Sequence, residues 1–306
     1  MAQTAIGAQG ERHRGRRALS GSSTQQHSQQ MVVGNALSFR CRTPSTRRGI
    51  NMRELFLLLG SLAILPSDLL AACVAQSGAQ RPHLVELYTA EGCASCPPAE
   101  RWMSSLRTSK DYVGLEFHVD YFDAQGWRDP FADPRYTARQ KLLVKHSAKT
   151  THFNTQAGIV YTPQVIVDGH VWTNWPKAAP PAFGTADPLP ISLDVALGTT
   201  ILAKVASPSG TSLPSSYQVD VALSENGLSS SVKAGENRGK RLDHDLVVRD
   251  FAGPLTPAQA ETGAELKLPA GFDPAKSAVV AFVEDAKNSE IVQVLRLPLD
   301  QCKRLP

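Results

Sequence analysis

Residues 85–100, "VELYTAEGCASCPPAE", set Cys93 and Cys96 two residues apart, behind an apolar run and ahead of two prolines. His83 to Thr89 reads as a short buried strand. Behind the cysteines, Ala99, Trp102 or Met103, and Leu106 fall at helical spacing. A Cys-x-x-Cys pair between a strand and a helix can do redox chemistry, hold a metal, or staple a turn. A helix start offers unpaired N–H groups and a partial positive charge, and both favour a thiolate at the first cysteine. Cys93 is then the attacking sulfur, and Cys96 resolves the mixed disulfide. Pro97 and Pro98 are tolerable only in a first helical turn. The residue before a proline is biased toward extended backbone, which predicts the same of Cys96.

Which chemistry applies depends on compartment. The chain has 306 residues, with 32 basic and 28 acidic side chains. Residues 1–51 hold eight arginines and one glutamate, leaving 24 basic against 27 acidic side chains in the remainder. The basic balance belongs to this leader, so the folded part shows no nucleic-acid signature. The leader has no apolar period and reads as disordered or not natively translated. Met52 and Arg53 precede the apolar run Leu55 to Leu65, too short to span a bilayer and right for an export signal over residues 52–75. Cleavage is expected after Ala72 or Ala75. The alternative is the lipobox-like "LLAAC", in which a lipidated Cys73 would anchor the chain to a membrane. A periplasmic or secreted location follows, where disulfides persist. Cys93 and Cys96 then form a pair and Cys302 a bystander, unless Cys73 survives to bridge it.

The rest divides in two. Residues 82–175 alternate strand and helix signals. Val113 to Val119 is a second strand. Asp133 and Pro134 start a helix to about His146, with Tyr136, Leu142 and Leu143 as inward candidates. Asp168-Gly169 is a two-residue hairpin turn. A proline-rich linker spans 176–190. Residues 191–300 show strand alternation, as at Tyr217, Val219, Val221 and Leu223, and predict a β-sandwich-like domain.

Zinc would need two more ligands than the cysteines, and the histidines, His118 among them, show no ligand spacing. Copper needs less: the pair and one remote histidine suffice. "HVDYFDAQGWRDPF" (His118–Phe131) offers Tyr121, Phe122 and Trp127 as an apolar rim beside the cysteines, or as an ordered loop packed into the core. In "GENRGKRLDHDLVVRD" (Gly235–Asp250), Glu236, Asn237, Arg238, His244 and Arg249 form either a ligand-binding cluster or a polar hairpin tip. His244, as a lone histidine, makes no metal site. No Ser/His/Asp set, phosphate loop or dinucleotide fingerprint occurs.

"LVELYTAEGCASCPPAE", "FHVDYFDAQGWRDPF", "YTPQVIVDG" and "GENRGKRLDHDLVVR" together resemble the secreted thioredoxin-like family catalogued as domain of unknown function 1223, over about residues 82–300. The resemblance implies an α/β thioredoxin-like first domain with a mixed sheet, a smaller C-terminal β domain, and export. In the wider thioredoxin-like class a cis-proline faces the cysteines, which points to Thr162-Pro163 as part of a substrate groove with Tyr121 and Trp127. That class also carries a buried acid on the strand before the cysteines, serving proton transfer; Glu86 is the candidate. Its usual last helix is missing here, where the proline-rich linker stands. The expected function is an exported thiol–disulfide oxidoreductase, without cofactor, acting on exported proteins or small thiols. The alternatives are a binding module for copper or a protein partner, and an envelope protein with a static disulfide.

Overall fold

The apolar run ahead of the cysteines becomes the buried strand β2 (His83–Thr89), preceded by β1 (Ala71–Gln76). These belong to a computed structural model that describes residues 71–78, 80–150, 158–175, 177, 179–181 and 189–304. All lie in one compact unit, Ile64–Pro306. The leader, residues 52–70 of the export signal and most of the 176–190 linker lie outside the described residues. After β2 come α1 (Pro97–Ser104), β3 (Tyr112–His118), a 3-10 turn at Asp120–Gln125, α2 (Pro134–Thr150) and the hairpin of β4 (Gln164–Val167) and β5 (His170–Trp172). Then follow β6 (Ser192–Leu197), β7 (Thr200–Ala206), β8 (Tyr217–Glu225), β9 (Leu228–Ser231), β10 (Arg241–His244) and β11 (Val247–Leu255). Last are α3 (Pro257–Thr262), β12 (Ala264–Lys267), β13 (Ser277–Asp285), β14 (Ile291–Pro298) and β15 (Lys303–Arg304). No helix among the described residues is long and apolar enough to cross a membrane.

The architecture is mixed α/β and dominated by sheets. The largest sheet runs β14-β13-β8-β11-β3-β2-β4-β5, and a second runs β12-β7-β6-β1-β15. In the large sheet β2–β3 and β3–β11 are parallel pairs and the others antiparallel. The expected linker at 176–190 does not interrupt it. Strands from both sequence blocks join where Val247 of β11 pairs with Glu116 of β3.

Strand alternation decides what each face buries. Leu84, Tyr88, Leu115 and Phe117 face Tyr136 and Leu143 of α2, in a core continued by Phe251 and Phe282 from the second block. The other face of β2, through Val85 and Leu87, packs on Ala99 and Met103 of α1. Each such fully buried apolar side chain contributes about 1.5–3 kcal/mol. The five-stranded sheet covers one face of β8 and β13 through Leu193, Val195, Ile201, Val221, Val279 and Ala281. The Asp168-Gly169 turn forms as expected, with both residues at positive φ. A Cβ on Gly169 would strike the carbonyl oxygen of Ser289, so the approach requires glycine there.

Two features at the chain ends bear on the expected export signal and on Cys302, for which the stated alternative, a bridge to Cys73, is the one formed. The export-signal boundary at residue 75 falls inside β1, which pairs with β6 along its whole length. Cys302 is no bystander: it is disulfide-bonded to Cys73, with Cα atoms 4.8 Å apart. That bond requires Cys73 to remain on the chain and its sulfur to carry no lipid.

On the α2 face lies a buried ion cluster. Arg139 donates to both oxygens of Glu86 (2.8 and 3.0 Å) and to Glu284 (3.2 Å), and its Nη1 is 3.5 Å from Asp220. Its guanidinium also lies 4.8 Å from the ring centre of Phe282. Three carboxylates thus share one guanidinium, and neither Asp220 oxygen has a hydrogen-bond partner. Burial, then the charge of Glu284, pushes Asp220 well above the ordinary carboxylate range. A carboxyl raised on folding holds extra protons in the native state, so its contribution to stability falls as pH rises through that window. Asp220→Asn is therefore expected to raise the melting temperature at pH 7–8 by about 2–4 °C, for a gain on the order of 1 kcal/mol. It should also flatten the loss of stability with rising pH. Thermal melts of both proteins across pH 5–9 check this; a lower melting temperature for the variant would show that Arg139 needs the third charge.

Candidate functional site

β2 ends at Thr89, and the chain turns sharply into the cysteine loop. The Cys93 N–H donates to the Ala90 carbonyl (3.1 Å) and the Cys96 N–H to the Cys93 carbonyl (3.2 Å). Cys93 and Cys96 are joined by a disulfide, Cα atoms 5.5 Å apart. Cys96 is helical (φ −76°, ψ −39°) and caps α1, correcting the extended geometry expected before Pro97. Both prolines occupy the first turn, where no N–H is needed for helix bonding. Their presence changes the electrostatics. Two amides that would face the sulfurs are absent, and the Ala99 and Glu100 N–H groups donate to the Cys96 carbonyl (2.8 and 3.2 Å). The helix start thus offers the cysteine loop fewer free N–H donors than an ordinary first turn.

The β9–β10 hairpin closes over this loop. Asn237, fully buried, donates through Nδ2 to the carbonyls of Glu91 and Cys93, each at 2.8 Å. The Glu236 carboxylate accepts from the Ala94 N–H at 2.8 Å. Lys240 Nζ donates to Asn237 Oδ1 at 2.9 Å and fixes the amide. Gly235 brings the tip so near that a Cβ there would lie 3.5 Å from Gly92 Cα. In consequence Cys93 is only 2% exposed and Cys96 fully buried. Glu236, Asn237 and His244, distant in sequence, are thus brought to the cysteines. Arg249 is not: it pairs with Glu225 and lies over the Phe131 ring at 5.4 Å.

The aromatic loop flanks the same turn. Trp127 Nε1 donates to Glu91 Oε2 at 2.6 Å. Phe122 packs on the loop, its Cβ 3.2 Å from where a Gly92 Cβ would stand. Tyr121 is 39% exposed, with its hydroxyl 3.4 Å from Gln140 Oε1. The Thr162–Pro163 bond is cis. With Tyr88 opposite Gln164 in the β2–β4 ladder, Pro163 stands beside the end of β2, where the cysteine loop departs. Glu86 takes the face of β2 that Leu84 and Tyr88 share. Its side chain is on the α2 face, held by Arg139 and by the Tyr88 hydroxyl (2.7 Å), opposite the face that Thr89 takes.

Beneath the loop, on the α1 face, is a centre of carboxylates and imidazoles. Glu91, Glu100, Glu116, Asp129, His118 and His244 are all buried. Glu91 accepts from Trp127, from Ser230 and from His244 Nε2 (3.2 Å). Asp129 accepts from His118 Nδ1 (2.8 Å) and the Glu91 N–H (2.8 Å). Glu100 accepts from Thr89 Oγ1 (2.5 Å) and stands 3.4 Å from His244 Nδ1, an ion-pair distance without hydrogen-bond geometry. The two imidazoles meet edge to face, centres 5.1 Å apart. Burial pulls the His244 pKa down, but the neighbouring carboxylates of Glu100, Glu91 and Glu116 outweigh it and push it up to about 10. Burial, then the Glu100 charge, pushes Glu116 well up. Burial would raise Glu100 and Asp129 too, yet His244 holds the first low and His118 the second.

Sequence reasoning missed Glu91, Glu100 and Glu116, named Asp129 only as part of the aromatic loop, and gave His118 no ligand role. One signal was available: Glu116 and His118 stand two apart on a strand and so share a face. The third member, His244, is supplied only by the fold.

The chain matches, over residues 84–284, the family described as "Protein of unknown function (DUF1223)". No curated protein matches it. Among solved structures it is similar to an Agrobacterium tumefaciens protein, at 23% identity and a TM-score of 0.47, over 74% of this chain and 98% of that one. It is also similar to HBP35 of Porphyromonas gingivalis, at 15% identity and a TM-score of 0.41, over 74% of this chain and 78% of that one.

The hairpin contacts give a direct expectation. Asn237→Ala leaves two buried carbonyls without their donor, a cost of about 1–3 kcal/mol. It should also speed reduction of the Cys93–Cys96 bond by dithiothreitol several-fold, followed by quenched thiol counting. An unchanged rate would mean that the hairpin does not control access.

Proposed function

The chain belongs to the DUF1223 family, and we propose that it is an exported thiol–disulfide oxidoreductase whose first half is thioredoxin-like and whose second half is a β-sandwich-like domain. The observation that carries this reading is the Cys93–Cys96 disulfide at a strand-to-helix junction, with Pro163 and the Tyr121–Trp127 loop beside it. In the reduced state the Cys93 thiolate attacks a substrate disulfide, and one substrate sulfur leaves as a thiolate. The Cys96 thiolate then attacks Cys93, releasing the second substrate thiol and closing the pair. Two electrons pass to the substrate, and a dithiol donor restores the pair. Tyr121, Trp127, Thr162 and Pro163 form the groove for a disulfide-bearing exported protein or a small thiol, in the periplasm or outside the cell.

Local electrostatics favour the reducing direction. A strong oxidant needs a stabilised thiolate. Here two first-turn amides are prolines, and the Glu236 carboxylate sits on the amide next to Cys93. Both features raise the cost of negative charge on that sulfur and so favour giving electrons away.

Burial of both sulfurs favours a second reading, a static bridge. The reduction potential separates the two. A working pair should lie between about −300 and −200 mV, and a structural bridge below about −300 mV. Glu236→Gln should raise the potential by up to about 30 mV, a tenfold change in the exchange constant. Cys96→Ser, incubated with exported proteins, should trap a mixed disulfide through Cys93. A potential below that range with nothing trapped would sink the proposal. Copper held by the reduced pair, with no exchange, would make the protein a binding module.

A further inference from the structure

We infer that Glu116, His118 and His244 form a metal site for a divalent first-row transition ion, buried beneath the cysteine loop and distinct from the cysteines. Their ligand atoms all lie within 4.8 Å of one another. Among the described residues, both oxygens of Glu116, Nε2 of His118 and Nδ1 of His244 lack a hydrogen-bond partner. Four polar atoms from three fully buried side chains are thus left unsatisfied in one place. Such groups are costly without a partner, and clustered ones call for an unobserved ion or water.

The outer hydrogen bonds select the inner lone pairs. Asp129 accepts from His118 Nδ1, so that nitrogen carries the proton and Nε2 is the ligand. Glu91 accepts from His244 Nε2, so Nδ1 is the ligand there once the metal displaces its proton. A carboxylate behind each ligating imidazole is the usual support of a metal site, because it fixes the tautomer and raises basicity. Glu100, 3.4 Å from His244 Nδ1 and anchored by Thr89, stands ready as a fourth ligand.

Charge points the same way. None of the four carboxylates pairs with a lysine or arginine among the described residues. Beside Glu91, Glu100, Glu116 and Asp129 the countercharges among the described residues are two imidazoles, to which a divalent cation would add. Two imidazoles and one or two carboxylates suit zinc, iron or manganese. Closure by protein side chains on all sides matches a structural ion better than an open catalytic one. The site joins the halves of the molecule, since Glu116 and His118 lie on β3 and His244 ends β10.

The inference does not depend on the redox reading. The test uses the full chain, purified without chelator and also refolded from denaturant with excess zinc. Mass spectrometry should find about one metal ion per chain. X-ray absorption should show nitrogen and oxygen ligands at about 2.0–2.1 Å and no sulfur near 2.3 Å. Cys93→Ser/Cys96→Ser should keep the ion, Glu116→Gln should lose it, and Asp129→Asn should bind about 10–100-fold more weakly. Should Glu116→Gln fail to fold by circular dichroism, the wild-type absorption spectrum decides alone. Less than a tenth of an equivalent in both wild-type preparations would overturn the site. So would a sulfur shell, or metal lost with the cysteines and kept without Glu116.

Discussion

β3 and β11 meet at one parallel pair, Glu116 opposite Val247, reinforced by the Glu116 N–H donating to the Leu246 carbonyl at 2.8 Å. Everything else that makes this a continuous eight-stranded sheet depends on that narrow seam. A parallel ladder this short contributes little by itself. Side chains hold it from both faces. On one face Phe117 meets Phe251 edge on, ring centres 5.8 Å apart, and the Tyr136 hydroxyl donates to the Val248 carbonyl at 3.3 Å. On the other face stand Glu116, His118 and His244. The hairpin β9–β10 enters from the second half just before the seam, and so its tip falls on the cysteine loop.

The two buried polar centres of the sheet differ in their cations. On the α2 face the countercharge is Arg139, whose guanidinium stays charged at any pH the fold survives. That cluster ties β2, α2, β8 and β13 together through a cation that does not titrate. On the α1 face the countercharges are imidazoles, which can carry a proton or a metal in the same position. Glu86, the proton-transfer candidate, stands on the α2 face in the Arg139 cluster. His244, named in the sequence as part of a polar cluster and not as a metal ligand, stands on the α1 face beside His118. The difference follows from which face of β2 or β3 a residue takes.

Periodicity made β2, α1, β3, α2 and the β4–β5 hairpin legible, because each follows local rules: buried apolar runs, a proline at the helix start, an Asp-Gly turn. The cysteine pair was legible for the same reason, being contiguous. Cys96 was misjudged because the preference of a residue before proline is weak beside the demand of a helix that must start there. The pairing of β11 with β3 was not legible, since nothing local in Val247 or Glu116 says which strand lies alongside. The same holds for Asn237 on the Cys93 carbonyl, while the pairing of Cys302 with Cys73 was legible only as an alternative that required Cys73 to stay on the chain. These are contacts between distant segments, chosen by burial and not by pattern.

The bond between Cys73 and Cys302 joins the first described strand to the last segment, across a sequence separation of 229. The described molecule is therefore a covalent circuit, not a line. In the chain-entropy picture closing so long a loop is worth about 5 kcal/mol, because it removes extended states from the unfolded chain. A second effect concerns survival. A protease that cuts one surface loop cannot release either fragment, for both remain tethered through the sulfur bridge at the far side. In a compartment rich in proteases, such a nick can be endured with every strand still in register.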